Sequence, residues 1–296
     1  MIYDIALNIH YDYTGAAAGG RQLLRIMPLD MPGRQRVVAA LVDIVPRPVE
    51  RRSWTDFFGN PTVEFALRGA HDNVDLTLKA RVERHDHAPQ PARSVTLTEM
   101  PAVLGTCRDL GADSPLHFIA ASVRVPLLPQ IADYARDAVA GQPASATAHQ
   151  TVLTIGAALH GHIRFDAKAT TVDTPLAEAF ANRRGVCQDM SHIMIAALRS
   201  LGIPAGYVSG FLRTRPPPGR PRLEGADAMH AWVRAWCGPQ AGWIEFDPTN
   251  DCVAGPDHIA VARGRDYADV SPVKGMLRVA GGQTSRQAVD VIPLDG

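Results

Sequence analysis

The chain has 296 residues, of which 46% are hydrophobic and 20% charged, a globular composition long enough to bury a core in one large domain or two ordinary ones. Lys plus Arg equals Asp plus Glu at 30 each, and that balance gives no reason to expect a nucleic-acid partner or an anionic membrane. No stretch reaches the ~20 apolar residues of a membrane span, because the longest candidate, 117–132, is cut by Arg124, Pro126 and Pro129. Met1-Ile2-Tyr3-Asp4 lacks a charged segment followed by an apolar one, and a strand pattern starting at residue 2 leaves little room for them, which predicts no secretory signal. Cys107, Cys187, Cys237 and Cys252 show no CxxC spacing, which predicts free thiols and a reducing, cytoplasmic setting.

Tyr3, Ile5, Leu7, Ile9, Tyr11 and Tyr13 alternate with polar residues, the period-two signature of a half-buried strand. Val74, Leu76, Leu78, Ala80 and Val82 repeat it, and shorter runs occupy 22–26, 36–45 and 63–67. Turn signals at Gly19-Gly20, Pro32-Gly33 and Gly59-Asn60-Pro61 separate them. Strands without intervening helices predict a small all-β sandwich over residues 1–87. A Pro-containing break then predicts a linker over 88–113.

From 114 to 296 the period becomes helical and then extended again, an α+β pattern. Helices are expected over 127–140, 146–161, 174–182 and 187–201. Thr174 is the expected N-cap of the third, and Gly202 and Pro204 end the fourth. Strands are expected over 205–213, 229–236 and 243–246, with weaker ones at 275–279 and 287–292.

Cys187 opens a helix and follows Arg183-Arg184. A helix dipole and nearby cations favour the nucleophilic thiolate, whereas a structural cysteine gains nothing from that position. Alone, His230 among strand apolars and Asp247 before a proline read as structural and turn-forming residues. Taken together, a Cys on a helix with a His and an Asp on successive strands can form a triad. The His takes and returns the thiol proton, and the Asp fixes the ring. Neighbouring strands bring facing residues to about 5 Å, close enough for an Asp–His hydrogen bond.

At these residues the chain resembles a known family. Arg184-Gly185-Val186-Cys187-Gln188-Asp189, Leu201-Gly202-Ile203-Pro204-Ala205, Tyr207-Val208-Ser209-Gly210, His230-Ala231-Trp232 and Phe246-Asp247-Pro248-Thr249-Asn250 are similar to the transglutaminase-like superfamily. They are most similar to its bacterial branch of candidate cysteine proteases. The likeness runs over roughly residues 145–270, including the run from Gly264 to Val270, and the Phe58-Gly59-Asn60 turn fits the β region that precedes the core in that branch. The resemblance implies a papain-like core of helices packed on an antiparallel sheet. It also implies acyl transfer through a Cys187 thioester, with His230 and Asp247 completing the triad and no metal or organic cofactor. The backbone N–H of Cys187 is the expected first oxyanion donor, with Gln188 or His160 as candidates for the second.

The expected activity is hydrolysis of a peptide or side-chain amide bond in a peptide or protein substrate. The alternatives are transfer of a glutamine acyl group to an amine, and a non-catalytic partner-binding scaffold. Trp232, Gln188 and Asp189 are candidate cleft residues. Against that, Trp232 and Trp243 also fit core packing, and Asp189 also fits a complement to the helix dipole. The Pro- and Arg-rich segment 214–227 reads equally as a cleft gate and as a solvated loop. The run His85-Asp86-His87 is the only metal-like sequence, and an exposed pair of that kind is usually inert.

Overall fold

Alternation along residues 2–13 and 74–82 builds two long neighbouring strands. The computed structural model describes residues 1–85, 91–215, 225, 227–279 and 281–294. The first strands are β1 (Ile2–Leu24), β2 (Gln35–Val45), β3 (Glu50–Thr55) and β4 (Pro61–Arg84). Tyr3, Ile5, Leu7 and Ile9 on β1 and Val74, Leu76, Leu78 and Val82 on β4 are all buried, so the alternating residues face one core. β1 does not stop at Gly19-Gly20. A bulge between Ala18 and Gly20, with Gly19 at φ +59°, lets the strand continue to Leu24 while staying paired to β4. β4 likewise runs through Gly69, at φ +89°.

Helices and short strands follow in order: α1 (Met100–Thr106), α2 (Pro129–Val139), α3 (Ala148–His162), β5 (Arg164–Phe165), α4 (Leu176–Asn182), β6 (Arg184–Gly185) and α5 (Cys187–Ser200). The next elements are β7 (Ala205–Leu212), β8 (Ala228–Trp236), β9 (Trp243–Asp247), β10 (Cys252–Val253), β11 (His258–Gly264) and α6 (Tyr267–Val270). The chain ends in β12 (Val273–Val279) and β13 (Gln283–Pro293). This is the expected α+β class. The second sheet is antiparallel, ordered β10–β9–β8–β7–β11, and α5 packs on β8 and β7 with α2, α3 and α4 around it. Ala231, Val233 and Ala235 bury one face of β8 in the core that also holds Met190, Ile193 and Met194 of α5. No helix among the described residues is long and apolar enough to cross a membrane.

Three local expectations change. The last strands, placed by sequence with the core, hydrogen-bond instead to β1: β13 pairs along Tyr3–Tyr13 and β12 along Ala17–Leu24. The all-β part is therefore a six-stranded antiparallel sheet drawn from both ends of the chain. Residues 91–113, expected as linker, carry a 3-10 turn and α1, while residues 86–90 lie outside the described residues. Pro175 rather than Thr174 is the N-cap of α4, because the Thr174 hydroxyl accepts from the Thr171 N–H instead.

The free edge of β11 would expose unpaired backbone groups. Two side-chain amides from the first sheet region cover it. Gln35 exchanges two hydrogen bonds with the Ala260 backbone (2.7 and 2.9 Å), and Asn60 does the same with Arg263 (2.8 and 2.7 Å). Arg84 adds a 2.8 Å bond from Nε to the His258 carbonyl. The turn Phe58-Gly59-Asn60 thus serves as the joint between the sheets.

Candidate active site

Cys187 stands at the first position of α5 and is half-buried. The turn before it is shaped by Arg183, which adopts φ +51° to end α4, and by β6, which pairs in parallel with β5. Arg183 and Arg184 are exposed. Asp189, two residues into the helix, is buried and reaches back. Its Oδ2 accepts the Val186 N–H at 2.8 Å and the Thr170 hydroxyl at 2.6 Å. This satisfies one of the orphan donors of the helix start and fixes the residue before the sulfur. A Cβ on Gly185 would lie 2.6 Å from that carboxylate, so only glycine fits there.

His230 sits on β8 opposite Gly210 of β7. Gly210 has no room for a side chain, because a Cβ there would meet Trp232 Cη2 at 2.3 Å. Asp247 closes β9 and is fully buried. The β8–β9 ladder reaches only as far as Val233 opposite Phe246, so Asp247 lies one step beyond it and contacts His230 diagonally. The bond is short, with His230 Nε2 to Asp247 Oδ2 at 2.7 Å. Cys187 lies near enough to the same imidazole to help Asp247 raise its pKa. With Nε2 committed to Asp247, Nδ1 is the nitrogen left for the sulfur.

Asp247 is surrounded by donors. Its Oδ1 accepts the Thr249 and Asn250 backbone N–H groups at 2.9 and 3.2 Å. Its Oδ2 accepts from Asn250 Nδ2 at 2.7 Å and from His258 Nε2 at 3.1 Å, besides His230. Burial favours the neutral acid, but the bonds from His230 and His258 outweigh it and hold the carboxyl well below the usual carboxylate range. For His230 the balance runs the other way: burial pushes its pKa down, and the bonds and charges of Asp247 and Cys187 raise it to about 10.

The candidate cleft residues are placed differently from expectation. Trp232 is fully buried and offers no cleft surface. Its indole N–H donates to Glu245 Oε2 at 2.8 Å, and its ring backs His230 at a centroid distance of 6.3 Å. Gln188 is buried, with its amide on the Val172 carbonyl at 3.2 Å. Asp189 holds the helix start through the Val186 N–H and the Thr170 hydroxyl. Trp243 lies at the far end of β9, stacked under Arg234 at 3.9 Å. His160 Nδ1 is engaged with the Pro248 carbonyl at 3.3 Å. His192 is buried against the Tyr267 N–H, and burial pushes it down to about 4. In the run His85-Asp86-His87, Asp86 and His87 lie outside the described residues, as do most of 214–227.

Sequence reasoning missed His258, Asn250 and Glu245. Asn250 sits in the quoted run after Asp247, where an amide three residues beyond a carboxylate is a readable signal. His258 has none, because the residues of β11 lack clear alternation. His230, Asp247 and His258 also offer ligand-type atoms within 4.8 Å of one another, the only such group among the described residues. Two of those atoms, the His230 and His258 nitrogens, are already bonded to the Asp247 carboxylate.

Comparison with known proteins places the family and the fold. The family model for the transglutaminase-like superfamily matches residues 132–248, and that for the bacterial transglutaminase-like N-terminal region matches 3–83. An uncharacterised protein of Mycobacterium tuberculosis is 34% identical over 277 residues, covering 89% of this chain and 84% of its own. One from Mycobacterium leprae is 29% identical over 289 residues, 96% of each. The crystal structure of a candidate cysteine protease from Cytophaga hutchinsonii superposes with a TM-score of 0.75 at 20% identity, over 100% of this chain and 91% of that one, a likeness of fold.

Proposed function

Because the chain belongs to the transglutaminase-like superfamily, a thiol-dependent kind of enzyme, we propose that it hydrolyses a peptide or side-chain amide bond through a thioester on Cys187. The observation that carries this reading is the buried 2.7 Å bond between His230 Nε2 and Asp247 Oδ2, on an imidazole that Cys187 is close enough to influence.

Each group has one task. The Cys187 sulfur attacks the amide carbon while His230 Nδ1 holds the thiol proton. The carbonyl oxygen gains charge beside the Cys187 N–H at the start of α5, where helix N–H groups have no internal partner. The C–N bond breaks, His230 gives its proton to the departing amine, and a thioester remains. Water then attacks. His230 takes a proton from it, the C–S bond breaks, the acid leaves and the thiol is restored. Asp247 stays ionised throughout, holding the ring with Nδ1 toward the sulfur and stabilising the imidazolium.

The test is iodoacetamide labelling of the intact chain, run beside hydrolysis of a peptide and amide library by the wild type and Cys187→Ala. One fast-reacting thiol at Cys187, and amide cleavage lost in Cys187→Ala, are expected. Equal slow labelling of all four cysteines would sink the reading. Incorporation of an added amine into a glutamine peptide in preference to ammonia release would replace water by an amine as acceptor. A library left intact by a chain with a fast thiol would favour a binding scaffold.

A further inference from the structure

The proposed reaction gives no task to His258, yet this side chain is built into the site with care. It is 5% exposed and opens β11 opposite Leu212 of β7. The Gly255 N–H donates to its Nδ1 at 3.2 Å. A nitrogen that accepts carries no proton, so the ring proton sits on Nε2, and Nε2 lies 3.1 Å from Asp247 Oδ2. Its ring stands edge-on to Trp232 at 5.2 Å and 79°. Its carbonyl is gripped by Arg84 of β4.

We propose that His258 is a positioning residue: its Nε2–H fixes the Asp247 carboxylate, and through it the orientation of His230, while Arg84 ties that support to the first sheet. This deepens, and rests on, the triad reading above. The physical reason is saturation. Oδ2 receives three side-chain donors and Oδ1 two backbone N–H groups, so the carboxylate cannot rotate away from His230. An anion so fully solvated by donors is also a weak base, which keeps the shared proton on the His230 nitrogen. Without His258, the carboxylate loses the one donor whose position is set by the first sheet.

Two variants separate positioning from packing. His258→Phe keeps an aromatic ring against Trp232 and removes the donor. His258→Gln keeps an N–H near the place of Nε2 and loses the ring. The readouts are the rate of Cys187 alkylation and kcat against KM for an amide cleaved by the wild type. In His258→Phe, alkylation and kcat fall roughly tenfold to hundredfold, the size expected for a lost hydrogen bond to a charged group, with KM unchanged. His258→Gln recovers most of that loss. Full reactivity in His258→Phe, or equal losses in both variants, overturns the positioning role. If wild-type Cys187 reacts no faster than Cys107, the triad reading itself fails and this role falls with it. Should the variants not fold, nitrogen-15 NMR of histidine in the wild type decides: a proton on His258 Nε2 and none on Nδ1 supports the role, and the opposite tautomer overturns it.

Discussion

Asp247 is the residue on which the site turns, and its neighbours set what substitution there does. Asp247→Asn exchanges an acceptor facing three side-chain donors for a group that is half donor, so it disturbs the His230 tautomer as well as its charge. The expected result is a loss of amide cleavage of about 10³- to 10⁴-fold, larger than any loss in substrate binding, measured as kcat against KM. The pH dependence of stability follows from two shifts. His230 is raised from 6.5 to about 10 in the folded chain, so its contribution is complete below about pH 6.5 and is lost as pH rises toward 10. Glu245, where burial opposes ionisation and Arg263 and its fellow arginines prevail, is lowered to about 2; its contribution is present above about pH 4.5 and is lost as pH falls toward 2. The thermal midpoint of the wild type is expected to fall at both ends, and His230→Gln to flatten the alkaline fall alone. At this scale Cys187, His230 and Asp247 were legible as candidates only together, as a Cys, a His and an Asp in motifs similar to one family. The sequence said nothing of His258, because a supporting imidazole is defined by its tautomer and its neighbour, and neither is written in the chain order.

Elements meet here through glycines that leave space for a ring or a carboxylate. Gly156 of α3 is the sharpest case: a Cβ there would lie 2.0 Å from Cε1 of Phe246, the residue next to Asp247. Gly156→Ala should overpack this contact, destabilising the chain by about 1–3 kcal/mol in urea unfolding and slowing Cys187 alkylation by shifting β9. Gly185→Ala acts on the other side of the site by pressing on Asp189. Helix α5 was legible from its apolar stripe and its Gly202 stop, and the structure places it over Cys187–Ser200. The long strands were legible only in pieces. Gly19-Gly20 is a turn signal in sequence, yet here it is absorbed inside a strand, because β1 keeps β4 as its partner on both sides of the irregularity.

The two sheets of the molecule are less separable than the sequence division suggested. Gln35, Asn60 and Arg84 cover the edge of β11, so a chain cut to residues 91–272 would leave that edge bare and His258 without its anchor. Such a fragment is expected to aggregate, or to remain soluble with a Cys187 no more reactive than Cys107. Light scattering and alkylation rates check this. A weaker strand is expected near 287–292 from sequence, but a strand's partner is set by long-range register, and the pairing of β13 with β1 joins residues 3–13 to 283–293.

That last pairing bears on when the molecule becomes competent. β1 is synthesised before α5 and β11, while the strands that flank it on one side, β12 and β13, are synthesised after them. The sheet that steadies β11, and with it His258, is therefore incomplete until translation has passed β13. A product stalled after β11 would carry the Cys187 thiol without its full support, and only a chain extended through β13 would supply it.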